Sequence, residues 1–176
     1  MKLQKTIFFL LFCTVTLFAQ DKKHSYTQFD ITVALKGNPN RGVEDPYTHE
    51  KESWFLPAGL GAKFGYGIHY KKWVGLGIHS GLNWEWTEKL VVVPVFANFK
   101  LSPKIGDETR ITLQFGLGKA IALGRGNLIG DYKKISLGLQ SDDDVMIFIE
   151  LNHYTLPINN QADSGNISLG ISLINF

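Results

Sequence analysis

The sequence predicts an all-β chain, an eight-stranded antiparallel up-and-down transmembrane β-barrel, and three observations lead there. The first is alternation. Residues 54–70 put Trp54, Leu56, Ala58, Leu60, Ala62, Phe64, Tyr66, Ile68 and Tyr70 on one side, and Phe55, Pro57, Gly59, Gly61, Lys63, Gly65, Gly67 and His69 on the other. Successive strand side chains point to opposite faces, so one face is apolar with aromatic ends while the other is small, glycine-rich and polar. The second is that nothing beyond the leader approaches the roughly 20 apolar residues of a spanning helix, so a membrane would be crossed by strands. The third is the number of alternating runs bounded by turn residues, which is eight, an even number and the smallest usual barrel size.

The N-terminus supplies the route. Lys2 and Lys5 precede the apolar run 7–15, and Phe18-Ala19-Gln20 leads into Asp21-Lys22-Lys23, the pattern of a secretory signal peptide over residues 1–20 followed by a barrel domain over 21–176. Cys13 lies inside that leader behind Phe12, where a lipid-attachment site needs a small residue. The expected mature chain therefore has no cysteine, which excludes disulfide, thiolate and cysteine–metal chemistry. The leader carries two of the 18 basic residues and none of the 16 acidic ones, so the remainder is formally neutral. Bulk charge gives no pull toward nucleic acid.

The runs fall at 25–36, 54–70, 73–86, 89–101, 109–119, 132–140, 144–155 and 166–176. In the first, Phe29, Ile31, Val33 and Leu35 alternate with Asp30, Thr32 and Ala34. In the third, Leu76, Ile78, Leu82, Trp84 and Trp86 alternate with Gly75, Gly77, His79, Gly81, Asn83 and Glu85. The fourth sets Val91, Val93, Val95, Ala97, Phe99 and Leu101 against Val92, Pro94, Phe96, Asn98 and Lys100. Pro94 cannot donate to a ladder, so a bulge or local fraying is expected there. The fifth and sixth set Ile111, Leu113, Phe115 and Leu117 against Arg110, Thr112, Gln114 and Gly116, and Ile135, Leu137 and Leu139 against Lys134, Ser136, Gly138 and Gln140. In the seventh, Val145, Ile147, Ile149 and Leu151 oppose Glu150 and Asn152.

Connections agree with a barrel whose termini share one side, with short turns there and longer loops opposite. Segments 70–72, 102–108 and 141–143 are brief, whereas 37–53, 120–131 and 156–165 are long; Thr87-Glu88 is a tight hairpin where a longer loop is expected. The loops are rich in turn formers, as in Asn38-Pro39-Asn40-Arg41-Gly42.

The chain resembles the small Gram-negative outer-membrane barrels, the OmpA/OmpX-like and porin-like group. The residues that carry the resemblance are the hairpin from Ala58-Gly59-Leu60-Gly61 to Gly75-Leu76-Gly77, the strand Val91-Val92-Val93-Pro94-Val95-Phe96, and the closing Ile167-Ser168-Leu169-Gly170-Ile171-Ser172-Leu173-Ile174-Asn175-Phe176. The resemblance covers the expected mature length. It implies the outer membrane as location, with lipid and lipopolysaccharide around the barrel. A terminal aromatic on an alternating strand resembles the signal read by the barrel-assembly machinery, which implies that machinery as a partner through Phe176. Phe176 is out of phase with Ile167, Leu169, Ile171 and Leu173, so a one-residue shift near Ile174 is expected.

A soluble secreted barrel of the lipocalin kind shares the strand number and length, and would turn the apolar set inward around a ligand. Alternate glycines make a poor solvated face but suit a narrow lumen. Trp54, Tyr70, Trp73, Trp84 and Trp86 at strand ends match interfacial girdles. Eight strands leave just enough interior for side chains, so Asp30, Lys63, Glu85, Lys100, Arg110, Lys134 and Glu150 are expected to form a lumen network with Thr32, Asn83, Gln114 and Asn152. Lys63 lies on the strand between those of Asp30 and Glu85, which are its expected partners. Such a network is either a structural plug or a gated ion path.

No cofactor or metal is expected. His24, His49, His69, His79 and His153 lack metal-site spacing, and isolated histidines at loops and strand ends read as polar surface. Asp142-Asp143-Asp144 reads as a solvated turn. His153-Tyr154-Thr155 resembles the His-x-Ser motif of the outer-membrane lipid A deacylases, eight-stranded barrels that use it with an acidic residue on the last strand. That resemblance implies His153 as base and Thr155 in place of the serine nucleophile. The last strand here carries Asn166 and Ser168 and no carboxylate; the alternative for His153 is a rim histidine beside an interfacial tyrosine. The expected role is structural or interactive and non-enzymatic. An external partner is expected at the loop from Gly37 to Ser53, which carries Arg41, Glu44, Asp45, Glu50, Lys51 and Glu52.

Overall fold

The computed structural model describes residues 24–44, 49–86, 88–123, 128–141, 144–156 and 164–176. The proposed leader, with Cys13, lies outside them, as do Asp45, Asp142, Asp143 and the segment 157–163. The eight strands are β1 (Ser25–Gly37), β2 (Phe55–Tyr70), β3 (Val74–Glu85), β4 (Leu90–Leu101), β5 (Thr109–Leu123), β6 (Leu128–Ser141), β7 (Val145–Tyr154) and β8 (Ser164–Asn175). Each pairs antiparallel with its chain neighbours, and β1 pairs with β8 to close the barrel. Closure leaves no free sheet edge, which is what lets a β-structure sit in hydrocarbon.

Alternation decides which side faces what. Ile78, Ile147 and Leu117 are 71%, 67% and 65% exposed, while Lys63, Lys100 and Glu150 are 1% exposed or less. This is the reverse of a soluble ligand-carrying barrel: greasy side chains form the outer wall and polar ones fill the middle. Trp54, Tyr70, Trp73, Trp84 and Trp86 stand outward near strand ends. The apolar interior is confined to two small clusters. Leu90, Val92, Phe96, Ala120, Ala122, Tyr132, Tyr154 and Leu156 close the end that carries the β1–β2 and β7–β8 loops. Tyr26, Met146, Phe148 and Ile174, with Phe176 against them, close the end that carries the termini.

The structure departs from the sequence reading in four places. Ala58 is buried beside buried Gly59, because a bulge shifts the β1–β2 register between Ala34 and Leu35 and turns Ala58 inward. At Pro94, by contrast, the expected fraying is present: the β3–β4 ladder is unpaired between Ser80↔Val95 and Asn83↔Val92, without a change of register. Strands β5 and β6 run on as far as Ala122↔Leu128, so 120–131 is mostly strand and not a long loop. Outward Lys119 and Asp131, ion-paired at 2.6 Å, interrupt the apolar pattern there without interrupting the ladder. No shift occurs near Ile174, which is 2% exposed, and the ring of Phe176 turns into the lumen mouth. Tyr154 is fully buried in the lumen and is not interfacial; likewise His79 and His69, at 1% and 8% exposed, are interior residues.

The β2–β3 turn carries a local cost. Lys71 and Lys72 sit at φ 50° and 60°, the left-handed region, so that Trp73 N–H can reach the Tyr70 carbonyl at 2.9 Å. A side chain there costs about 1–2 kcal/mol relative to glycine. Lys71→Gly is therefore expected to stabilise the barrel by about 1 kcal/mol, read from urea unfolding in lipid vesicles.

Candidate functional site

Even-numbered positions of β1, β6 and β7 and odd-numbered positions of β2 and β3 point into the lumen, and that phase brings four of the expected charges into one cluster at mid-barrel. Lys63 Nζ bonds Glu150 Oε1. Lys134 Nζ lies 2.8 Å from Glu150 Oε2 and 3.6 Å from Asp30 Oδ2. Two ammoniums and two carboxylates thus cancel where all four side chains are buried, the arrangement a buried charge requires. Lys63 finds its anion on β7, not on the neighbouring β1 or β3, which corrects the expected pairing with Asp30 or Glu85.

Neutral groups extend the cluster both ways. Gln28 Nε2 donates to Asp30 Oδ1 at 2.8 Å, and Asn98 Nδ2 donates to Gln114 Oε1 at 2.9 Å. Toward the loop end, Asn152 Nδ2 donates to Glu150 Oε1 at 2.6 Å and to Asn166 Oδ1 at 3.1 Å. Tyr132 donates its hydroxyl hydrogen to Asn152 Oδ1 at 2.6 Å, and Asn83 Nδ2 donates to the Tyr154 oxygen at 2.5 Å. Glu85 stands apart from the four-charge cluster; its Oε1 accepts from Asn166 Nδ2 at 2.5 Å.

Lys100 and Arg110 also stand apart, near the end with the termini. Arg110 Nη1 donates to the Ser102 carbonyl at 3.1 Å. Lys100 Nζ lies 4.6 Å from the Tyr26 ring centre and 4.4 Å from that of Phe176. A desolvated ammonium over an aromatic face gains up to about 2 kcal/mol, so the rings serve it where a carboxylate serves Lys63. Lys72 reaches the same Phe176 ring at 4.4 Å, and His69 meets it edge-on at 4.8 Å. Alternation marked Lys100 as inward; nothing in the sequence marked the aromatic seat.

At the opposite end the loop after β1 is tied down. Asn38 Nδ2 donates to Glu52 Oε2 and to the Ser53 carbonyl, each at 2.9 Å, while Asn38 Oδ1 accepts from Asn40 N–H at 2.9 Å. Glu52 N–H donates to the Val43 carbonyl, and Glu44 bridges Lys51 as an antiparallel pair. Arg41 lies 5.5 Å from the Trp54 ring. The described part of the loop is thus a short hairpin that displays Val43 and Trp54 at 57% and 68% exposure.

His153 lies near the end of β7 and Thr155 just beyond it, both on the outward side. Thr155 Oγ1 accepts the Asp131 N–H at 2.6 Å, and Thr155 N–H donates to the Asp131 carbonyl at 3.0 Å. The hydroxyl is thereby engaged in fastening the chain to β6. In the β7–β8 ladder His153 faces Gly165 and Asn152 faces Asn166. Among the described residues no group of three or more His, Cys, Asp or Glu side chains gathers as a metal site.

An apolar exterior around a filled polar lumen, closed by eight antiparallel strands, defines a transmembrane barrel of the outer-membrane type. No protein-family model and no curated protein matches the sequence. Among solved structures, the outer membrane enzyme PagL is similar with a TM-score of 0.55 at 14% identity, over 82% of this chain and 98% of that one. Neisserial surface protein A is similar with a TM-score of 0.52 at 11% identity, over 86% of this chain and 97% of that one. The likeness is one of fold, and it is the fold of outer-membrane barrels.

Proposed function

We propose that the protein is a non-conducting, non-enzymatic outer-membrane scaffold that presents its loop end, above all the hairpin within 37–53, to a partner outside the cell. The observation that supports this reading is the occupied lumen: the Lys63–Glu150–Lys134–Asp30 cluster fills the middle, and apolar side chains fill both ends. With the middle of the lumen occupied, work falls to the rims, and among the described residues the hairpin is a rim element held by hydrogen bonds while exposing apolar and charged groups together. Lipid and lipopolysaccharide cover the exterior in this reading, and the barrel-assembly machinery receives the last strand, ending at Phe176, before the barrel closes.

Two measurements test the proposal. In planar bilayers the purified protein is expected to give no discrete conductance steps; steady unitary currents would contradict the plug. Replacing 39–52 with a short glycine–serine turn is expected to keep the heat-modified gel shift of a folded barrel while removing adhesion or ligand capture by cells. Unchanged capture would move the partner site elsewhere.

A lipid A deacylase-like activity at His153 and Thr155 is the competing reading, and the fold likeness to an outer membrane enzyme is what keeps it in play. The engaged Thr155 oxygen and the absence of a carboxylate between Ser164 and Asn175 weigh against it. Lipid A from cells with the protein, without it and with Thr155→Ala is expected to have the same acyl-chain number by mass spectrometry.

A further inference from the structure

The lumen mouth at the loop end holds a feature that neither the plug nor the hairpin uses. Two adjoining cavities of about 80 Å³ and about 10 Å³ share Ala34, Glu85 and Asn166 in their walls. The larger adds Lys36 and Glu88 at the rim, and the smaller adds Thr32, Asn83 and Ser168 below. Nearly every polar group named here offers oxygen. Glu85 brings a carboxylate with Oε1 fixed by Asn166 Nδ2, and Thr32 brings a hydroxyl; Asn166 Oδ1 itself accepts from Asn152 Nδ2 at 3.1 Å and from Ser168 Oγ at 3.2 Å, so Asn166 and Ser168 position the carboxylate.

Asn83 supplies the independent sign that something belongs there. It is 5% exposed, its Nδ2 is committed to Tyr154, and its Oδ1 has no hydrogen-bond donor. A buried acceptor left unsatisfied costs about 1–3 kcal/mol, so such an oxygen facing a cavity calls for a positive or donating guest. Gly61 keeps the space open, since a Cβ built on it would strike both Asn83 Oδ1 and Thr32 Oγ1.

We propose that this mouth is a binding site for a divalent cation of the calcium class, held by the Glu85 carboxylate and the amide oxygen of Asn83, with the Thr32 hydroxyl beside them and Glu88 at the rim. Hard oxygen donors of mixed charge, with space beside them for retained water, suit calcium, which accepts irregular sets of six to eight oxygens. Magnesium demands a tighter octahedron. The ion would tie β3 to β1 at the mouth. Lys36 is the one opposing charge in the walls, which makes the site weak. The inference stands apart from the proposed scaffold role, because a cation here neither opens the lumen nor requires the hairpin.

The test is calcium titration of the full chain folded in zwitterionic detergent, by calorimetry and by the fluorescence of Trp86, which adjoins Glu85. One saturable event with a Kd of roughly 10⁻⁴–10⁻³ M is expected, in the range of extracellular calcium modules. Glu85→Gln should weaken it about tenfold or more, because ligand charge sets affinity in oxygen-lined sites. Gly61→Ala should remove binding by filling the cavity, and Lys36→Gln should tighten it roughly threefold by deleting one like charge across a solvated rim. The heat-modified gel shift checks that each variant is folded. No saturable binding by the wild-type chain overturns the proposal. So does an unchanged Kd in Glu85→Gln, and a loss confined to a Glu44→Gln/Glu52→Gln variant would assign the ion to the hairpin instead.

Discussion

Glu150→Gln is expected to lower the free energy of unfolding by about 3–5 kcal/mol, the cost of leaving buried charge without its partner. The carboxylate serves two ammoniums from opposite sides, Lys63 from β2 and Lys134 from β6, and both lysines have fully buried side chains. Without it only Asp30 remains in the cluster, 3.6 Å from Lys134. Urea unfolding in lipid vesicles, followed by tryptophan fluorescence and by the gel shift, measures the loss. The complementary variant is as informative: Lys63→Met, Lys134→Met, Glu150→Leu and Asp30→Leu together remove every charge of the cluster. Apolar replacement of a whole buried ionic group is often neutral or stabilising, so this combination is expected to lie well above Glu150→Gln. If the single substitution costs less than about 1 kcal/mol, water reaches the cluster and the lumen is not plugged at mid-height.

Gly65→Ala is expected to destabilise by about 1–3 kcal/mol through overpacking. The ring of His79 lies directly against the backbone of Gly65, where a Cβ would collide with three of its atoms. The ring has little freedom to retreat, with Phe96 at 5.4 Å and Tyr26 at 6.4 Å between centroids. His79→Ser removes the obstacle, so Gly65→Ala combined with His79→Ser should be less destabilised than the sum of the two single variants. The coupling expected for residues in contact is about 0.5–3 kcal/mol. Additive effects would mean that the ring does not rest on Gly65.

Alternation alone made the barrel legible. Strand number, the apolar outer wall and the inward phase of Asp30, Lys63, Glu85, Lys100, Arg110, Lys134 and Glu150 all follow from the period of two, because a strand has no other way to separate its faces. What escaped it had local or cross-lumen causes. Ala58 suits either face by size, so the bulge beside it left no mark in the pattern. The strand reading stopped at Lys119, and Asp131 read as loop, because charge on a lipid-side position breaks the template, although the two neutralise each other across the ladder. Lys63 and Glu150 sit on β2 and β7, which are not neighbours, and strand order carries no information about who meets across the interior. Tyr154, His69 and His79 share the inward phase of their strands, and reading them as rim or surface residues set that phase aside; the alternation leaves open only how deep in the lumen each sits.

The floor of the lumen is assembled from both extremities of the described chain: Tyr26 at the start of β1 and Phe176 just beyond β8 approach to 6.1 Å between ring centres. In an unclosed sheet those rings would lie seven strand spacings apart, and Lys100 would lack the seat that the two rings make together. Sealing and zipping are therefore one event. Contacts of such high sequence separation make folding slow, so the lumen floor is completed only when the first and last strands join.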